Sequence, residues 1–176
     1  IYMSNIPGCG YCDDITYDHN NAGGCETLGL GTLVQGDAIW NRDPMMSESD
    51  CEDLNGKWFD GNVGGFQMQL IGIEITDAYG GSAADAGFIV QTGGTDVPSG
   101  ISKVVGFSST GSTIPPNEDP VLLTTVEFTI LSDYEDTGIC FGKDTGSSGD
   151  NAISDGEAEY VAADWGDCNC ADSNPI

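Results

Sequence analysis

The sequence predicts an all-β fold, an antiparallel β-sandwich or jelly roll. Residues 64–76 alternate apolar and polar side chains, which is the pattern of a strand with one buried face. The phase of the alternation changes at Ile71–Gly72, as happens where a glycine allows a bulge or a bend. Other strand-length segments follow at roughly even spacing, and no convincing amphipathic helix separates them. Short strands without crossover helices are expected to form antiparallel sheets.

The first predicted element is an edge strand, Ile1 to Asn5, which stops at Pro7–Gly8. From residue 6 to residue 63 the composition changes to Cys, Gly, Asn and Asp, and no period of two or 3.6 residues is sustained. This composition predicts an insertion after the first strand, and the insertion is expected to be rich in cysteines and loops. Inside it, Ser47 is expected to cap a short helix that ends at Asn55–Gly56.

The second half of the chain continues with strands. Two strand-length segments lie between residues 88 and 107, on either side of a turn-rich stretch. The longest clean alternation runs from Leu122 to Ile130 and predicts one strand with Phe128 on its buried face. Ile139 to Phe141 predicts a short strand, and a last strand is expected near Glu157 to Ala162.

The charge of the chain restricts its partners. Twenty-nine Asp and Glu residues face four Lys and Arg residues, giving a formal net charge of −25. Nucleic acids and anionic membrane surfaces are therefore excluded as expected partners, because both carry negative charge. The acidic residues are expected to form either a solvated surface suited to a salty medium or sites for divalent cations.

The seven cysteines predict disulfides and an oxidising compartment. The Cys-x-x-Cys spacing at Cys9 and Cys12 would also suit zinc, but no second such pair and no histidine cluster completes a tetrahedral site. The odd number leaves one cysteine free or paired between chains, unless another lies outside this sequence. The cysteines are Cys9, Cys12, Cys25, Cys51, Cys140, Cys168 and Cys170.

The acidic loops near the end of the chain are candidate calcium sites. Asp144, Asp150, Asp155 and Glu157 lie at short spacing among Gly and Ser residues, which allow backbone and side-chain oxygens to converge on one ion. No EF-hand loop is matched. A solvated acidic loop without an ion is the alternative interpretation.

Little in the sequence indicates catalysis. His19 is the only histidine and lies in a polar loop without a recognisable nucleophile context.

Three tryptophans, Trp40, Trp58 and Trp165, are candidates for a sugar-stacking platform or for core positions. No Asn-x-Ser/Thr sequon occurs, so any attached glycans are expected on Ser or Thr.

Several segments together resemble the cohesin-like family of secreted β-sandwiches, in the version found in proteins of aquatic microbes. The resemblance rests on "IYMSN", "GGFQMQLIGIEITDAYGGSAADAGF", "VVGFSSTGSTIPP", "LLTTVEFTI", "ICF" and "GDC". These cover the first strand and most of the chain from Gly64 to Cys168. The family pattern joins "IYMSN" almost directly to "GGFQ", so the cysteine-rich segment is an insertion relative to it.

The resemblance implies a secreted, non-catalytic jelly roll of about nine strands. On this basis residues 1–5 and 64–170 form the β-sandwich, residues 6–63 a disulfide-stapled insertion and residues 171–176 a C-terminal tail. It also implies a disulfide between Cys140 and Cys168, because the family pattern carries cysteines at "ICF" and "GDC". Cellulosomal cohesins bind dockerins through a sheet face, but a shared fold alone does not imply a shared binding partner.

We expect an extracellular, non-enzymatic structural or adhesive subunit that associates with copies of itself. The chain has no signal peptide or transmembrane run and opens on Ile1, so a processed or partly observed secreted protein is expected. Both ends offer apolar or strand-edge surface, and the residues expected to mediate self-association are Ile1, Tyr2, Met3, Pro175 and Ile176. The alternative is a carbohydrate- or dockerin-type binding module.

Overall fold

The computed structural model of the chain describes residues 1–13, 40–96, 100–132, 138–142 and 151–166. The predicted all-β class is confirmed, since these ranges hold thirteen strands and only two short helices. The nine-strand jelly-roll connectivity stays a prediction, because the strands are divided more finely than expected. Neither helix in these ranges is of the length and apolar character that a membrane span requires.

The elements have the following bounds. The strands are β1 (Tyr2–Asn5), β2 (Gly8–Cys12), β3 (Trp40–Asp43), β4 (Lys57–Phe59), β5 (Val63–Ile71), β6 (Ile73–Tyr79), β7 (Ile89–Asp96), β8 (Ile101–Phe107), β9 (Asn117–Leu122), β10 (Thr125–Ile130), β11 (Cys140–Phe141), β12 (Ala152–Asp155) and β13 (Tyr160–Val161). The helices are α1 (Glu48–Asp53) and α2 (Gly81–Asp85).

The large sheet is built around β5, as the alternation at residues 64–76 predicted. Its strand order is β13-β12-β5-β8-β7, with β11 also paired to β5, and all of these pairs are antiparallel. Phe66, Met68 and Leu70 of β5 are buried on one face of this sheet. The strand is held on both edges, because β8 takes one side while β12 and β11 share the other.

A second layer covers that buried face. Gly72, with a φ of +92°, separates β5 from β6 and sends the chain into a different sheet. The predicted phase change at Ile71–Gly72 is thereby confirmed, since a left-handed backbone conformation favours glycine. In the second layer β6 pairs with β10 and β1 pairs with β9, and β6 packs against β7 and β8 without pairing with them. Apolar side chains of both layers form one core.

The prediction of one strand from Leu122 to Ile130 is wrong. The chain forms β9 and β10 with a break at Leu123 and Thr124, which are both buried. The Leu123 amide donates to the Ile1 carbonyl at 2.9 Å, and the Leu123 carbonyl accepts the Ala83 amide at 3.1 Å. These tertiary hydrogen bonds pull the backbone of Leu123 toward two partners and interrupt the regular strand.

The predicted burial of Phe128 is also wrong. Its side chain is 42% exposed, whereas Phe66 on β5 is 3% exposed. Phe128 lies on the inner side of β10, but it faces an open groove between the two layers and not a closed part of the core. The alternation therefore gave the face correctly and the burial incorrectly.

The described part of residues 6–63 forms a small separate sheet. Its strand order is β3-β2-β4, and the disulfide Cys9–Cys51 joins β2 to α1. Ser47 caps α1 as predicted, with its hydroxyl accepting the Asp50 amide at 3.2 Å. Phe59 of β4 does not stay within this small sheet, because it packs into the main core. The insertion is thus attached to the sandwich through an apolar contact.

Candidate self-association groove

The N-terminal strand and β10 meet end to end. The pairing of β1 with β9 runs up to Tyr2 opposite Leu122. At the next step the amino group of Ile1 donates to the Thr124 carbonyl at 2.9 Å, and the Ile1 carbonyl accepts the Leu123 amide. The backbone of Ile1 is therefore hydrogen-bonded to that of Leu123 and Thr124. A strand that continued the line of β1 beyond Ile1 would run beside β10.

One edge of β10 has no strand beside it in the described parts of the chain. A strand has two edges, and β6 occupies one edge of β10 over the whole strand, from Thr125 to Ile130. No other described strand pairs with β10. Unpaired amide and carbonyl groups on an edge are a template for another strand. This edge is the first component of the candidate site.

The second component is an apolar groove beside that edge, with a volume of about 420 Å³. It opens between β10 of one layer and β11 of the other, and its floor is made by the turn from β5 to β6. None of its lining side chains is charged, although the chain carries 29 acidic residues. The residues that line the groove are Ile1, Tyr2, Leu70, Ile73, Val126, Phe128, Ile139, Cys140 and Phe141.

Large apolar side chains around the groove are exposed. Tyr2 is 70% exposed, while Phe128 and Ile130 of β10 are 42% and 43% exposed. On the outer face of the same strand, the Tyr79 hydroxyl hydrogen-bonds to Glu127 at 2.8 Å, and this bond raises the pKa of Tyr79. The strand therefore has a polar outer face held to β6 and an apolar inner face open to solvent. A contiguous exposed apolar surface of this kind indicates an interaction site.

A second cleft adjoins the groove on the other side of β1. It has a volume of about 280 Å³ and shares Ile1, Tyr2 and Phe141 with the groove. Its wall includes Trp165, whose ring centroid lies 5.4 Å from that of Phe141. The described part of the chain ends one residue later, at Gly166.

The structure brings together part of the predicted self-association set. Ile1 and Met3 are partly buried against the core, whereas Tyr2 points outward at the rim of the groove. Pro175 and Ile176 lie outside the described residues. Sequence reasoning missed the contribution of β10, although one signal was present: Thr125–Ile130 carries a single charged residue and no Lys or Pro of the kind that blocks an edge strand.

Of the predicted calcium ligands, the structure describes Asp155 and Glu157, and their side chains do not converge on a common ion position. One carboxylate oxygen of Asp155 accepts the amides of Glu157 and Glu159, and the other lies 3.2 Å from Lys57 Nζ. Lys57 also pairs with Glu159. The Glu157 side chain is exposed, and Asp144 and Asp150 lie outside the described residues. Among the residues that the structure covers, no group of three metal-ligating side chains is found.

A calcium site involving Asp144 and Asp150 stays a prediction with a direct test. Calcium that binds only the folded protein should raise the melting temperature, because at 100 times the dissociation constant a ligand adds about 2.7 kcal/mol to stability. Melting curves with Ca²⁺ and with a chelator, at matched ionic strength, measure the effect. The double variant Asp144→Asn/Asp150→Asn should abolish it, and identical wild-type curves would contradict the site. Asp155 is unsuitable for this test, because its loss breaks the Lys57 ion pair whether or not calcium binds.

The remaining sequence candidates are placed as follows. Cys140 is disulfide-bonded, but its partner lies outside the described residues, so the Cys140–Cys168 pairing stays a prediction. Trp165 packs on Phe141, and Trp58 is partly buried on β4. His19 lies outside the described residues.

No protein-family model, no curated protein sequence and no solved structure matches the chain. The cohesin-like resemblance therefore stays a prediction, and the function has to be inferred from the groove, the charge and the disulfides of the chain itself.

Proposed function

We propose that this protein is a non-enzymatic extracellular subunit with a structural or adhesive role, which associates with copies of itself into a filament or surface array. The observation that carries the proposal is the uncharged groove beside the unpaired edge of β10. Burial of apolar surface drives most protein association, and an open strand edge adds directional hydrogen bonds to it. A contact between two different surfaces of identical subunits propagates unless its rotation closes a ring.

The disulfides support an extracellular location. Cys9 and Cys51 are joined, and Cys12 and Cys140 are disulfide-bonded as well. Disulfides of this number persist in oxidising compartments and are rare in the cytosol. Disulfides also suit a subunit of an exposed assembly, because they stabilise each folded subunit before it associates.

The net charge sets the conditions under which subunits associate. At −25 per chain, neighbouring copies repel one another over roughly a Debye length, which is about 10 Å at 0.1 M salt. The side chains that line the groove do not contribute to this repulsion, because none of them is charged. Association is therefore expected to strengthen with salt or with divalent cations.

Electron microscopy and light scattering of the concentrated protein, in moderate salt with Ca²⁺, test the proposal. We expect polymers, and we expect deletion of Ala171 to Ile176 to reduce them, because this segment contains Pro175 and Ile176 of the predicted self-association set. The matched comparison is the full chain in low salt, where repulsion should weaken assembly. A protein that remains monomeric under all of these conditions would contradict the proposed function.

A second candidate function, glycan binding, is favoured by the outer face of the large sheet. In the register of β5, β8 and β7, Gln67 lies opposite Val105, which lies opposite Gln91. Phe107 and Tyr160 flank this row on the same side, and a shallow depression among them has a volume of about 300 Å³ and no acidic lining residue. Amide and aromatic side chains are suited to neutral sugars. A measurable affinity of the monomer for neutral polysaccharides would favour this function over self-association.

A further inference from the structure

We propose that the second cleft binds a small organic carboxylate, whose charged group pairs with Arg42 and whose apolar body fills the cleft. This site is separate from the proposed self-association and does not depend on it. The cleft is lined by residues of β1, β3 and β4 and of the segment that follows β13. Its volume of about 280 Å³ is at the lower limit of small-molecule sites, which measure about 300–1,000 Å³.

Arg42 of β3 supplies the positive charge of the site. Among the described side chains that line the cleft, it is the only positively charged one. Its guanidinium donates to the Ile6 carbonyl at 2.7 Å and lies 6.0 Å from the ring centroid of Phe59. In the described parts of the chain no Asp or Glu side chain forms an ion pair with Arg42, whereas Lys57 has two such partners. A guanidinium carries five N–H donors, so Arg42 retains donors for a planar, bidentate partner such as a carboxylate.

Next to the Ile6 contact, the wall of the cleft includes a buried acceptor without a partner. Asn5 lines the cleft and is 3% exposed. Its side-chain amide donates to the carbonyls of Gly61 at 2.6 Å and Pro115 at 2.8 Å, while its Oδ1 is buried without a hydrogen-bond partner. Buried acceptors are paired in most proteins. A ligand with a hydroxyl or N–H beside its carboxylate would satisfy this oxygen as well as the free donors of Arg42.

The rest of the wall is mainly apolar and decides the body of the ligand. Trp165 and Phe141 both line the cleft and pack on each other, with ring centroids 5.4 Å apart. An exposed ion pair alone contributes little, and a net charge of −25 opposes any anion, so the Arg42 contact cannot retain a small hydrated ion. Burial of an apolar body against these rings adds the missing affinity. The cleft therefore favours a carboxylate with an aromatic or aliphatic body over acetate or phosphate.

Calorimetric titration of the dilute protein with 3-phenylpropionate and with its neutral isostere 3-phenylpropionamide tests the site. At neutral pH we expect the acid to bind about fivefold more tightly than the amide, because only the acid pairs with Arg42. Arg42→Gln should remove this difference and leave the affinity for the amide unchanged, provided that melting curves show a folded variant. A merely structural role of Arg42 would change both affinities together.

Two further variants serve as matched comparisons. Lys103→Gln removes the same charge from β8, outside the cleft, and should bind both compounds like the wild type. Asp164 is the acidic side chain that lines the cleft, where it accepts the Gly166 amide at 2.9 Å. Asp164→Asn keeps an acceptor for that amide and removes a like charge, so it should strengthen binding of the acid and leave the amide unaffected.

The outcomes are distinguishable from those of the assembly experiments, because the titrations use the monomer. Equal affinities of acid and amide for the wild type would overturn the site, and so would a preference for the acid that survives in Arg42→Gln. Failure of both compounds to bind at millimolar concentration would also overturn it, since the cleft would then be closed or filled by another part of the chain. If Arg42→Gln weakens assembly while the monomer binds no acid, the partner of Arg42 is a carboxylate of a second copy and this proposal is wrong.

Discussion

Replacement of Phe66 by alanine is expected to lower the free energy of unfolding by about 3–5 kcal/mol, the range for large-to-small changes of a buried aromatic residue. Phe66 is 3% exposed at the centre of β5, and its ring stacks at 6.2 Å on that of Phe88. On the opposite strand its ring lies over Gly106, where an added Cβ would stand 2.2 Å from the ring. Because Phe88 and Gly106 of β8 both pack against this ring, the cavity left by alanine cannot readily collapse.

Phe128→Ala is the matched control for this prediction. It removes the same atoms from a side chain that is 42% exposed, so the expected loss is smaller, about 1–2 kcal/mol from the transfer free energy alone. Gln67→Ala, on the outer face of β5, should change stability less than Phe66→Ala. Urea unfolding at constant pH gives all three values. Equal losses for Phe66 and Phe128 would show that the groove is closed in solution or that the register is wrong.

The parts of the fold that the sequence predicted correctly depend on short-range physics. Alternation along β5 is visible because a sheet strand presents every second side chain to the core. The capped helix α1 is predictable for a similar reason, since Ser47 and Asp50 are close in sequence and satisfy each other locally. In both cases the deciding contacts lie within a few residues of one another.

The break between β9 and β10 could not be predicted in this way. Leu123 is held by Ile1 and Ala83, which are distant in sequence, and Thr124 hydrogen-bonds to the Tyr79 carbonyl at 3.2 Å. A pattern of apolar and polar residues records the face on which a side chain lies but not the tertiary hydrogen bonds that interrupt a strand. The prediction of a single strand failed where those bonds act.

The groove escaped sequence reasoning for a related reason. Whether Phe128 is buried depends on whether another strand covers the edge of β10, and that depends on the arrangement of all the strands. The same residue would be a core residue in a completed layer and is a surface residue in the described one. The exposure of Phe128 therefore accompanies an edge of β10 that no strand covers in the described parts of the chain.

Removal of the Cys9–Cys51 disulfide is expected to cost about 4 kcal/mol in the free energy of unfolding. The bridge closes a loop with a sequence separation of 42, and the chain-entropy model gives about this value for such a length. Both cysteines are fully buried between β2 and α1, and Gly56 packs directly on their sulfur atoms. The bridge therefore constrains the unfolded chain and also fills the centre of the small sheet.

The double variant Cys9→Ala/Cys51→Ala is the suitable test. A single substitution would leave a thiol that can exchange with the other cysteines, and serine would bury a hydroxyl without an assigned partner. We expect a lower urea midpoint and faster hydrogen exchange in β2 and α1, while exchange in β5 should change less. Because Phe59 joins the insertion to the main core, part of the destabilisation should reach the sandwich. Unchanged stability of the double variant would mean that the small sheet and the Phe59 contact hold the insertion without the bridge, and that the loop is already constrained in the unfolded chain.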